Sequence, residues 1–187
     1  MMVLFVITVA SLSKQKEITE QVVEEIKSVQ KALSELDSTY YYFDDVNKRY
    51  KLNIDVRFRA NSADIYNVSN NSRKQLIDAG RVLIEKVSRL IKESKNIDYL
   101  IVIEGNTAKF NNNHINNPDL GYELSYRRSL ALVNFWKENG INFSRLGDQC
   151  EIIIAGSGYF GKSRDKDEAL NKRFTIQITS KFGKLIN

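Results

Sequence analysis

The sequence predicts an α+β fold: a two-layer β-α-β-α-β-β domain with helices on one face of a sheet, preceded by a long N-terminal helix. Three observations carry that prediction. Early in the chain, apolar residues recur at spacings of four and three, the stripe of a helix with a heptad seam. Apolar and polar residues then alternate one for one over residues 52–58 and again over 174–178, as half-buried strands do. Between these runs, helical stripes and compact apolar runs take turns, and that alternation favours helices layered on a sheet.

Taken in order, residues 1–13 (MMVLFVITVASLS) carry no charge. A membrane span needs roughly 20 apolar residues, and a secretory signal opens on basic ones; this stretch has neither. Three readings stand: the trailing half of a transmembrane helix, an imperfect signal sequence, or an ordinary buried element. Residues 14–50 contain no Pro or Gly, and Val22, Ile26, Val29, Leu33, Leu36, Tyr40 and Phe43 form the seam. The expectation is a membrane-proximal helix forming a parallel homodimeric coiled coil, with packing back onto its own domain as the alternative. Tyr40–Phe43 resembles a base-stacking set, yet within a heptad it packs.

The domain itself is expected over 51–187. Its first strand carries Leu52, Ile54, Val56 and Phe58. After a polar loop over 61–69 comes a helix with Leu76, Leu83, Val87, Leu90 and Ile91 on one face. The continuous run 99–103 (YLIVI) predicts a central strand covered on both faces. An Asn-rich loop over 105–120 follows, then a helix over 121–139 that stops at Gly140. A strand over 151–155, a Gly-Ser-Gly turn, a charged segment over 162–170 and the last strand complete the chain.

Composition bounds the chemistry. Of 187 residues 42% are apolar and 27% charged, enough for a core, and the net charge of +5 favours anionic neighbours such as wall polymer, anionic lipid or nucleic acid. The basic residues are interspersed with acids, which argues against nucleic acid. A single cysteine, Cys150, excludes an internal disulfide, and a single histidine, His114, excludes a multi-His metal site. No nucleophile set, metal set or paired carboxylates stands out, so no enzyme, metal or cofactor is expected. His114 lies among asparagines and reads as solvated. Gly156-Ser157-Gly158 lacks the Lys-Ser/Thr helix of a phosphate loop.

One position breaks the pattern. Arg128 lies four residues from both Leu124 and Leu132, on the apolar stripe of the second domain helix. A guanidinium there needs a carboxylate, because burying it unpaired is costly. The carboxylate comes from a ligand or from Glu104 or Asp119; snorkelling is the remaining alternative.

Residues 121–129 (GYELSYRRS) resemble the N-x-x-L-S-x-x-R-A motif of OmpA-like peptidoglycan-binding domains, with Tyr-Glu-Leu-Ser close to the W-E-L-S form of MotB-type proteins. Residues 103–108 (IEGNTA) resemble the E-G-H-T-D of that family. Gly140-Ile141, Arg145-Leu146, the Ala155–Gly158 turn and Asn171-Lys172-Arg173 follow its G-I, R-L, glycine-turn and N-R-R pieces in order. The resemblance covers about residues 51–180. It implies one mixed sheet with helices on one side, and non-covalent recognition of the peptidoglycan peptide stem. Arg128 then grips a ligand carboxylate, Thr107, Asn171 and Arg173 match polar site positions, and Leu124 and Ser125 shape the helix entrance. It further implies a bacterial cell-envelope protein, inner-membrane anchored with a periplasmic domain, laid out like a MotB-like stator subunit with a MotA-like partner. Three positions depart: Ala108 replaces the motif aspartate, Gly121 the asparagine and Asn106 the histidine. Losing that carboxylate removes half of a zwitterion clamp, about 1.5–3 kcal/mol unless Asp119 or Glu104 substitutes. The alternative is a degenerate scaffold that assembles an envelope complex without gripping the wall.

Overall fold

Helix formation begins at once and ends earlier than the heptad seam suggests. The computed structural model describes residues 2–93, 97–109 and 117–181. Helix α1 runs Met2–Ser34, and the seam residues Tyr40 and Phe43 belong instead to a hairpin of β1 (Tyr41–Asp44) and β2 (Arg49–Leu52). Local chemistry ends the helix. The Asp37 carboxylate accepts the Thr39 N–H at 2.8 Å, its carbonyl accepts from Tyr40 and Tyr41, and the aromatic run that follows favours a strand. Among the described residues no helix is long and apolar enough to cross a membrane.

The lower seam serves this chain's own core: Val29, Leu33 and Leu36 are buried in the main apolar cluster, and Lys86 bridges Glu35 at 2.8 Å. Upstream, Val22 is half-buried and Val23 exposed; the Ile26 side chain lies outside the described residues.

The remaining elements are α2 (Asn70–Glu93), β3 (Asp98–Gly105), α3 (Pro118–Glu138), β4 (Cys150–Gly156) and β5 (Phe174–Lys181). The fold class is α+β, one five-stranded mixed sheet in the order β1-β2-β5-β3-β4. Among the described residues only β3 and β4 pair in parallel, as the intervening helix α3 requires. The hairpin adds a strand that the sequence pattern does not announce. It also shortens the strand expected over 52–58: regular pairing stops at Leu52, although Ile54, Val56 and Phe58 stay buried in alternation.

Strand β3 is an interior strand between β5 and β4, but it is not covered on both faces. Tyr99, Ile101 and Ile103 are fully buried under the helices, whereas Leu100 and Val102 face the open side and remain half-buried. Leu76, Leu83 and Val87 of α2 and Leu132, Phe135 and Trp136 of α3 complete the core. Trp136 donates to the Leu76 carbonyl at 2.7 Å, and Tyr41 to that of Ala79 at 2.7 Å.

Two glycines bring α3 close to the sheet. A Cβ at Gly105 meets the Ser125 carbonyl oxygen at 2.1 Å, and one at Gly156 meets the Tyr126 nitrogen at 2.4 Å. The Ser129 hydroxyl then reaches the Ala155 carbonyl at 2.7 Å. Gly105 therefore closes β3, and Pro118–Leu120 open α3, so the Asn-rich connection is shorter than the 105–120 expected. Residues 110–116, His114 among them, lie outside the described residues.

Candidate ligand-binding site

Helix α3 starts on a strong signal: Pro118 stands in its first turn and the Asn117 side chain accepts the Asp119 N–H at 3.0 Å. Its third turn carries Arg128, only 4% exposed. The guanidinium lies 4.7 Å from the centroid of Phe58, and Nε donates to the Ser62 carbonyl at 3.0 Å. Phe58 is braced edge-on by Phe174 at 6.1 Å. Among the described residues no carboxylate pairs with Arg128, and its Nη groups make no hydrogen bond. Burial pushes its pKa down to about 10, while Tyr159 pulls it upward, so it stays charged at neutral pH. A buried cation whose fork is only partly satisfied is costly, and a planar carboxylate is the group that fits it.

The mouth of this site is set by Gly121. A Cβ there meets the Tyr159 ring at 2.3 Å, so the missing side chain is what lets Tyr159 sit on the first turn of α3. The loop bearing Tyr159 is fixed at both flanks. Gly158 N–H donates to the Ser125 hydroxyl at 2.9 Å, and Thr107 N–H to the Gly158 carbonyl at 3.1 Å. The Ser125 hydroxyl also donates to the Tyr122 carbonyl at 2.9 Å, so it holds the loop. Leu124, half-buried, lines a shallow pocket of about 320 Å³ with Asn61, Leu120, Arg127 and Tyr159. Thr107 is buried and its hydroxyl makes no hydrogen bond among the described residues.

The remaining site residues are engaged elsewhere. Glu104 points to the open face of the sheet, bound by Arg49 and by Thr175 at 3.0 Å. Asp119 is exposed on the first turn of α3. Asn171 is buried and staples its own loop, accepting the Asp165 N–H at 2.7 Å and donating to the Asp165 carbonyl at 3.0 Å. Arg173 binds Asp165 at 2.8 Å, the Leu170 carbonyl and the Tyr42 hydroxyl.

Sequence reasoning missed Phe58, Ser62, Tyr159 and a carboxylate close to Ala108. Glu168 accepts the Lys109 N–H at 2.9 Å and pairs with Arg164, which donates to the Thr107 carbonyl at 2.7 Å. The Arg164–Glu168 spacing of four was the available signal. Phe58 was legible as an inward position of the alternating run, but its pairing with Arg128 was not. Among the described residues no group of His, Cys, Asp and Glu is arranged to hold a metal.

No protein-family model matches the sequence, and no curated protein matches it. Solved structures do. An OmpA-like domain from Francisella tularensis is 19% identical, with 75% of this chain and 77% of that chain covered and a TM-score of 0.39. A putative MotB-like protein from Desulfovibrio vulgaris is 16% identical, covering 87% and 94% at a TM-score of 0.40. The periplasmic domain of Helicobacter pylori MotB is 15% identical, covering 74% and 88% at 0.42. The likeness spans most of each chain, and the superpositions are loose.

Proposed function

We propose that this protein is a non-catalytic anchor of the bacterial cell envelope. Arg128 grips a carboxylate of the peptidoglycan peptide stem, with Thr107 lining the approach. In this reading the domain is periplasmic and α1 leads to the inner membrane. The upper seam around Val22 pairs two copies, and the whole acts as a MotB-like subunit beside a MotA-like membrane partner. The observation that carries the reading is the buried, charged Arg128 whose Nη groups make no hydrogen bond among the described residues. Retention on purified peptidoglycan sacculi tests it. Arg128→Ala is expected to abolish retention and Arg128→Lys to restore part of it, because an ammonium keeps the charge but not the fork. Equal retention of wild type and Arg128→Ala overturns the proposal.

A second reading has its own support. Tyr159 is seated on Gly121, and residue 108 offers no carboxylate, which favours an OmpA-like scaffold that assembles an envelope complex without gripping the wall. It predicts that neither Tyr159→Ala nor Ala108→Asp raises retention. A gain with either one favours the anchor.

A further inference from the structure

A groove of about 640 Å³ opens between residues 53–57 and 170–173, lined by none of the residues that touch Arg128. It lies where a ladder stops. Strands β2 and β5 pair at Tyr50↔Ile176 and Lys51↔Thr175 and no further. Continued in the same register, Asn53 would face Arg173 and Val56 would face Leu170, but these walls have separated. After a bend at Ile54, residues 54–58 keep the burial alternation of a strand: Ile54, Val56 and Phe58 are buried while Asp55 and Arg57 are exposed. Among the described residues they make no backbone–backbone hydrogen bond. Their one backbone partner is the Ser72 hydroxyl, which donates to the Asp55 carbonyl at 2.7 Å.

An extended segment held in place by inward side chains, with its ladder groups unused, is a template for one more strand. The alternating inward side chains also hold the segment's faces, so its backbone groups keep their orientation toward the groove. The charge of the walls selects the occupant. Arg57, Lys172 and Arg173 line the groove; Arg57 pairs with Asp55 at 2.7 Å and Arg173 with Asp165 at 2.8 Å, which among the described residues leaves the exposed Lys172 as the cation free to meet an acidic side chain. We propose that this groove receives an extended acidic peptide of a partner protein by strand addition to residues 54–58, a segment whose last residue, Phe58, also floors Arg128.

Selection of a displayed library of random short peptides on the intact chain tests this. Binders are expected to be rich in Asp and Glu and free of Pro. A saturating synthetic copy of the best binder should slow amide hydrogen exchange of residues 54–58 at least tenfold. Lys172→Glu, an exposed change whose folding is checked by circular dichroism, should weaken that peptide at least tenfold. The proposal is overturned by an absence of binders or by binders without acidic enrichment. Unchanged exchange at 54–58, or equal affinity for the Lys172→Glu variant, overturns it as well.

Discussion

A glycine at position 121 and a tyrosine at position 159 are two halves of one contact, because a Cβ at the first lies 2.3 Å from the ring of the second. Gly121→Ala therefore overpacks the mouth of the Arg128 site and is expected to cost about 1–3 kcal/mol. With Tyr159→Ala already present the sign reverses. The clash is gone, and alanine in a helix is preferred over glycine by about 0.5–1 kcal/mol. Urea denaturation of the two single variants and the double variant measures the coupling; additive effects would refute the contact. Arg128 itself illustrates how a lone charge is tolerated in a core: an aromatic face and one carbonyl offset part of its desolvation.

The β1–β2 hairpin depends on a polar clasp. Lys51 is buried although it is charged, flanked by β1 and β5 and paired with Asp44 at 2.9 Å beneath the Tyr42 ring. Burial works against ionised Asp44, but hydrogen bonds from Asn47 and Lys51 outweigh it and hold the carboxyl at about 2. The free value is about 3.9. Between the two, the unfolded chain binds more protons than the folded one, so the stability from this clasp is present above about pH 4 and is lost as pH falls toward 2. Asp44→Asn is expected to flatten this part of the acid-unfolding profile, measured by thermal midpoints across that range. An unchanged profile would mean that the clasp contributes nothing.

Shared core packing joins α1 to the rest. Its last turns bury Val29, Leu33 and Leu36 in the same cluster that holds Trp136 of α3, the single tryptophan of the chain. Leu33→Ala should therefore lower stability by about 2–5 kcal/mol as read by Trp136 fluorescence, although the two residues belong to different helices. If the fluorescence midpoint stays put while helical signal is lost early, α1 melts on its own and is not part of the cooperative unit.

Much of the architecture could be read from periodicity: α2 by its 3.6-residue stripe, β3, β4 and β5 by their apolar runs, and α3 by the stripe that also marked Arg128 as out of place. The hairpin was hidden because Tyr40 and Phe43 continue a heptad spacing, whereas turn chemistry at Asp37 and the strand preference of four aromatics decide the backbone there. Period alone cannot separate these, since a stripe records only which residues avoid water, not what they avoid it against. The same limit governs the site. A guanidinium on an apolar stripe announces that it needs a partner, a local property of α3. Whether the partner is Glu104 depended on strand alternation, which turns that carboxylate to the open face. The aromatic floor of Phe58 and the seat of Tyr159 on Gly121 join segments far apart in the chain, and such contacts exist only once the sheet has assembled.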